Sequence, residues 1–251
     1  MAIPDTLAAR LIETTRLNDL SGAFVMLGRQ RWVGARRGAS ADLLDETLAQ
    51  HLPGTAAADL ADPGSIYSET FFRRLGFATV DSMDFSDYEG ASLIQDLSAP
   101  LSPALWERFD VVYDGGTCEH VFELPTALRN IDRMLKPGGV LIGHSPANNW
   151  VNHGFYQLTP ELVFGFWEKA MGYEVLHCRL QPLQPRLARV QVEVTNPNVT
   201  GLRPRFSRRL EDLGGLILDY AVRKPAAPAG DGRAYQTDYL ARWDEQRPAL
   251  G

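Results

Sequence analysis

Cysteine is nearly missing from this chain of 251 residues: Cys118 and Cys178 stand far apart and in no paired spacing. Neither a disulfide framework nor a cysteine-built zinc site is expected from them. Positive charge is also short. The net charge of −6 argues against the basic face that a nucleic-acid partner would require. No apolar run approaches membrane-spanning length, and the opening MAIPDTLAARLIETTRL lacks the apolar core of a signal peptide. A membrane partner is therefore not expected, and the cytoplasm is the expected location. Internal repeats are absent as well. What remains is ordinary for a soluble globular protein, 45% hydrophobic and 22% charged residues, and long enough for one α/β domain with additions.

The most informative stretch runs from Arg108 to Asn149. Phe109, Val111, Val112 and Tyr113 form a buried-strand pattern that stops at Asp114 and a Gly115-Gly116 turn. Leu124, Leu128, Ile131 and Leu135 then recur at helical spacing behind Pro125. Lys136-Pro137-Gly138-Gly139 ends that helix, because proline cannot extend it and glycine tolerates the left-handed cap. A second apolar run follows, Val140-Leu141-Ile142-Gly143. Strand, turn, helix, glycine stop and strand make a βαβ unit with parallel strands. Both strands deliver polar residues at their C-terminal ends, the edge where open parallel sheets bind ligands.

Elsewhere the pattern predicts an amphipathic helix over residues 4–18 and a buried strand over Gly22–Gly28. A helix over Ser40–His51 has Ser40 as N-cap and Pro53-Gly54 beyond its end. Another over Ser65–Leu75 presents Ile66, Phe71, Phe72 and Leu75 to the core. Strands are predicted over residues 77–84, 91–97, 172–176, 188–194 and 216–224, with only a short turn between the first two. Thr159-Pro160-Glu161 opens a helix with proline in its first turn. Residues 225–234 read as a linker, and a last helix over 235–246 packs on the domain or reaches a partner subunit, which would make a homodimer.

FDVVYDGGTCEHVF and MLKPGGVLI closely resemble the fourth strand with its following motif, and the fifth strand, of class I S-adenosylmethionine-dependent methyltransferases. The resemblance covers roughly residues 20–224. It implies a Rossmann-like α/β fold with a seven-stranded, mostly parallel sheet and helices on both faces. It further implies S-adenosylmethionine as cofactor and a small-molecule methyl acceptor, reacting at O or N. One domain over 1–224 is expected, with a lid-like insertion at about 32–64 overhanging the C-terminal edge, or a surface loop there.

By the same resemblance the cofactor site consists of Gly28, Arg29, Gln30, Asp84, Phe85, Asp96, Leu97, Asp114 and Gly115. Asp84 would accept from the ribose diol, with Asp81 as competitor, and Asp96 would accept from the adenine amino group beside the Leu97 amide. The family's glycine-rich first turn is replaced by LGRQ. Either Arg29 and Gln30 supply side-chain contacts to the cofactor, or the site no longer takes it. The matching rivals are a methyltransferase-fold protein that does not methylate, and a nucleotide-dependent oxidoreductase. The lack of GxGxxG after the first strand counts against the latter.

An oxygen or nitrogen acceptor often has to lose a proton, which histidine is suited to take near neutral pH. His153 and His144 are the candidate bases at the C-terminal edge, with Tyr156 lining the pocket and a structural hydrogen bond as the alternative for each. Glu119 and His120 are adjacent and point in different directions at a helix start, so no metal site is expected.

Overall fold

Alternating residues on each central strand face two separate helix layers, and this division sets the architecture. The computed structural model describes residues 2–34, 37–230 and 232–246. Its strands are β1 Ala2–Pro4, β2 Ala23–Leu27, β3 Arg31–Val33, β4 Thr79–Asp84, β5 Leu93–Ile94, β6 Phe109–Asp114, β7 Leu135–Asn148, β8 Glu174–Pro182, β9 Val192–Glu193 and β10 Leu216–Arg223. The principal helices are α1 Asp5–Leu17, α2 Ala39–His51, α3 Glu69–Arg74 and α4 Leu124–Met134. Phe24, Met26, Val111, Tyr113, Ile142 and Ile217 pack with α1, α2 and α3. Their neighbours Val25, Val112, Leu141 and Leu218 pack with α4 and the helix Leu162–Ala170. A period of two in buried strands thus feeds both faces, as a doubly covered parallel sheet requires.

The main sheet has the order β5-β4-β2-β6-β7-β10-β8-β9. It is parallel from β5 to β7, and β10 runs antiparallel to both β7 and β8. The expected seven strands are therefore eight, because Val192–Glu193 adds an antiparallel edge to β8. A separate two-stranded parallel sheet joins β1 to β3.

Several predicted elements are shorter than their patterns. The helix expected from Ser65 starts at Glu69, since the Ile66 carbonyl accepts from Trp32 N–H and the Ser68 amide donates to the Gln30 carbonyl. Ile66 is consequently exposed rather than in the core. Of the strand predicted over 188–194 only Val192 and Glu193 join the main sheet, because the Gln181 side-chain amide donates to the Ala188 and Val190 carbonyls and holds them in a turn. The segment expected over 91–97 pairs only at Leu93–Ile94.

None of the described residues of the segment 32–64, of which 35 and 36 lie outside the description, lines the cleft described below. Its helix α2 lies along α1, with Leu44 and Leu48 buried in the same core as Leu7 and Leu11. The final helix spans Thr237–Gln246, and its first turn is tied to Glu161 through the Thr237 amide and hydroxyl.

Candidate functional site

Connections from β2 lead outward to β4 and β5, and those from β6 lead the other way, so the strand order reverses between β2 and β6. Such switch points open a crevice beyond the carboxyl ends of the strands. Leu27 and Asp114 are register partners there, so Gly28 and Gly115 follow them side by side. Gly28 has φ +65°, and a Cβ on it would lie 2.9 Å from Thr117 Oγ1. A Cβ on Gly115 would lie 2.8 Å from the Tyr113 ring and 2.9 Å from Gln30 Cδ. Glycine is required at both places by dihedral angle or by space.

Beside this floor lies a cleft of about 540 Å³, lined by Met83, Asp84, Phe85, Gln95, Asp96, Leu97, Ser98, Thr117, His120, Val121, Phe122 and Glu123. Asp84, Phe85, Asp96 and Leu97, expected from the sequence, all reach it. Asp84 Oδ1 accepts from the Phe85 amide at 2.7 Å, which orients the carboxylate. The Ser98 hydroxyl and amide donate to Asp96 Oδ1 and hold that carboxyl below its usual range. Asp81 instead bonds to the Ser92 hydroxyl and pairs with Arg108, away from the cleft lining.

Four expected site residues face elsewhere. Arg29 donates to Glu69 Oε1 at 2.6 Å and to the Glu89 carbonyl at 2.8 Å, and stacks on Tyr67. It pins the chain around β4 instead of entering the cleft. Gln30 is 1% exposed, and its Nε2 donates back to the Leu27 carbonyl. Asp114 is fully buried; its Oδ1 accepts from the amides of Gly116, Thr117 and Cys118 and shapes the loop after β6. His144 is also buried, between Tyr113 and Asp219, so it cannot meet an acceptor. Its neighbourhood is an ionic cluster in which Asp219 also accepts from His177 and Arg179.

The other two catalytic candidates lie close to the cleft. The Tyr156 hydroxyl donates to the Phe122 carbonyl and so supports a lining segment. His153 sits behind His120, with ring centroids 5.0 Å apart, and Trp150 meets it edge-on at 5.2 Å. Its Nε2 lies 3.4 Å from Glu119 Oε1, and His120 Nε2 lies 3.8 Å from the same oxygen. Glu119 is fully buried, with neither carboxylate oxygen hydrogen-bonded among the described residues. Burial and the Asp114 charge push its carboxyl up to about 8. Burial and the neighbouring His153 lower His120, and burial raises the Cys118 thiol well above its ordinary range, which makes it a packing group. The approach of Glu119 to His153, 34 positions later, has no local signal in the sequence.

Residues 70–143 match the model of a family described as a methyltransferase domain. The matched segment, 74 of the 251 residues, is similar to a methyltransferase domain. The matched span runs from α3 to the middle of β7, and so includes the cleft-lining segments but not the Gly28 turn. No curated protein matches the chain. Among solved structures it is similar to the N-methyltransferase NodS of Bradyrhizobium japonicum WM9 in complex with S-adenosylhomocysteine, at 13% identity over 86% of this chain and 85% of that one, TM-score 0.41. It is likewise similar to an S-adenosylmethionine-dependent methyltransferase of Mesorhizobium loti, at 13% identity over 88% and 98% of the two chains, TM-score 0.44. A structure described by the conversion of a disulfide bond into a thioacetal group during echinomycin biosynthesis gives 16% identity over 96% and 87%, TM-score 0.42.

S-adenosylmethionine, the cofactor that the sequence resemblance implies, can be tested against these residues. The nucleoside half fits: two strand-end carboxylates, an apolar residue beside each, and a cleft of suitable size. At the amino-acid end Thr117, Tyr113 and Gln30 occupy the space beside Gly28 and Gly115. Gln30 Oε1 and Asp114 Oδ2, both beside that floor, are buried acceptors without a donor among the described residues, and acceptors are what an ammonium group requires. The residues present therefore fit the group.

Proposed function

We propose that this methyltransferase modifies a small molecule at an oxygen or nitrogen atom. Bound S-adenosylmethionine supplies the electrophilic methyl group; the chain supplies orientation and an exit for the acceptor's proton. Asp84 takes the ribose diol, Asp96 and the Leu97 amide take the adenine edge, and Phe85 covers the base. Glu119, His120 and His153 stand at the acceptor end, where that proton has to be lost. Phe122 and Phe155, exposed and in edge-to-face contact, give the mouth an apolar rim for the acceptor's body. The observation that carries this reading is the shared cleft: strand-end carboxylates and the histidine His120 line one cavity at the switch point.

The test is calorimetry with S-adenosylmethionine and S-adenosylhomocysteine. Both are expected to bind at sub-millimolar concentration. Asp84→Ala removes charge-assisted hydrogen bonds of about 3 kcal/mol in total, hence about 100-fold in affinity. Absence of binding to the wild-type chain would sink the reading. A second reading keeps the fold without methylation, and the tying down of Arg29 and Gln30 favours it. Normal cofactor binding with no methyl transfer to any hydroxyl- or amine-bearing acceptor panel would support that one.

A further inference from the structure

Glu119, His120 and His153 form a group whose geometry hydrogen bonding does not explain. Glu119 is fully buried, yet among the described residues both of its carboxylate oxygens lack a hydrogen-bond partner, and so does His153 Nε2. A burial of this kind is costly unless something pairs the group. The histidine nitrogens nevertheless point at it, His153 Nε2 at 3.4 Å and His120 Nε2 at 3.8 Å from Glu119 Oε1. One ligand atom from each of the three residues falls within 4.8 Å of the others. Two ligands at about 2.1 Å from a tetrahedral ion stand about 3.4 Å apart. The observed separations are long for hydrogen bonds and right for a shared ion.

The loops that carry these ligands are fastened to each other at the same place. The amides of Phe155 and Tyr156 both donate to the Glu119 carbonyl. Gly154 lets the loop after β7 come down onto the turn: a Cβ there would lie 2.9 Å from the Glu119 carbonyl and 3.3 Å from His120 Nδ1. Trp150 and His120 flank the His153 ring. The ligand atoms are thus positioned by the fold before any ion arrives, which lowers the cost of binding one.

We propose that Glu119, His120 and His153 bind a divalent cation of the zinc class, with an open coordination position towards the cleft. Two imidazoles and one carboxylate suit zinc and its first-row neighbours better than magnesium or calcium, which favour oxygen ligands. Three protein ligands leave the fourth position of a tetrahedral ion free, the arrangement of catalytic rather than structural zinc. His120 lines the cleft, so that position faces the acceptor. The inference rests on the methyl-transfer reading and narrows it: the acceptor presents an oxygen that coordinates the ion. An acceptor hydroxyl held there loses its proton to solvent, because the cation stabilises the oxyanion. The two imidazoles then act as ligands and not as free bases.

The experiment uses the full chain, free of any histidine tag and stripped with a chelator, titrated with Zn²⁺ and with Co²⁺. One equivalent of Zn²⁺ is expected per chain, and Co²⁺ is expected to show the visible bands of a tetrahedral site. His153→Ala and Glu119→Gln should weaken Zn²⁺ binding by about 100-fold or more. S-adenosylhomocysteine affinity should stay within about threefold in His153→Ala, which also reports that this variant is folded. Failure of the wild-type chain to take up stoichiometric Zn²⁺, or binding unchanged in both variants, would overturn the proposal. Cofactor binding without zinc binding would overturn it alone and leave the methyl-transfer reading standing. Zinc binding without cofactor binding would do the reverse.

Discussion

Replacing Asp219 by asparagine tests whether the cluster around His144 is structural. Asp219 lies on β10 between His144 of β7 and Arg179 of β8, its register partners. It is fully buried; Oδ1 accepts from His144 at 3.2 Å and His177 at 2.9 Å, and Oδ2 from Arg179 at 2.7 Å. Burial alone would raise this carboxyl, but the charge and hydrogen bond of His177, with His144 and Arg179, outweigh it and hold the group well below the usual carboxylate range. Asparagine keeps the shape and removes the charge, leaving Arg179 with Glu13 at 3.8 Å as its carboxylate partner among the described residues. Breaking a buried pair from one side costs about 3–5 kcal/mol, and partial relief from Glu13 favours the lower end. For a chain of this size that corresponds to a fall in Tm of about 10 °C. Because the folded carboxyl is depressed, its contribution is complete above the unfolded pKa, about 3.9, and is lost as pH falls through the folded value. The wild-type chain should therefore lose stability on strong acidification more steeply than Asp219→Asn. Thermal and urea unfolding followed by circular dichroism over a pH series measures both. A Tm within about 2 °C of wild type would refute the reasoning. Loss of methyl transfer with unchanged Tm would refute it differently, by returning His144 and Asp219 to the reaction.

Asp114→Ala should destabilise the chain by about 2–3 kcal/mol, because three amides of the loop after β6 lose their acceptor. Asp114→Asn retains an oxygen and should recover most of that; equal stabilities for the two variants in urea unfolding would contradict the capping role. Gly143→Ala should cost about 3 kcal/mol or more, since its Cβ would fall within the fully buried Tyr220 ring across the β7–β10 ladder. A well-folded Gly143→Ala chain of wild-type stability would show that Tyr220 has room to move.

The sequence alone determined the βαβ unit around β6 and β7. There, strand period, proline, glycine stop and apolar helix spacing all describe the same local structure, and local rules are readable without neighbours. It also made legible that Asp84, Phe85, Asp96 and Leu97 meet at one edge of the sheet, where they line a cleft, because a residue ending a buried parallel strand has only one edge of the sheet to face. It did not supply the directions of Arg29, Gln30, Asp114 and His144. Each stands at a strand end or edge as expected, yet each is turned by a partner that is remote in sequence or by its own loop: Glu69 for Arg29, Asp219 for His144, the Leu27 carbonyl for Gln30, the 116–118 amides for Asp114. Eight strands in place of seven follow from the same cause, since two residues become an edge strand only when β8 is beside them. The meeting of Glu119 and His120 with His153 was decided by tertiary structure alone. It needs β6 and β7 to be parallel neighbours and Gly154 to let their two loops touch, and no spacing within either loop records that contact.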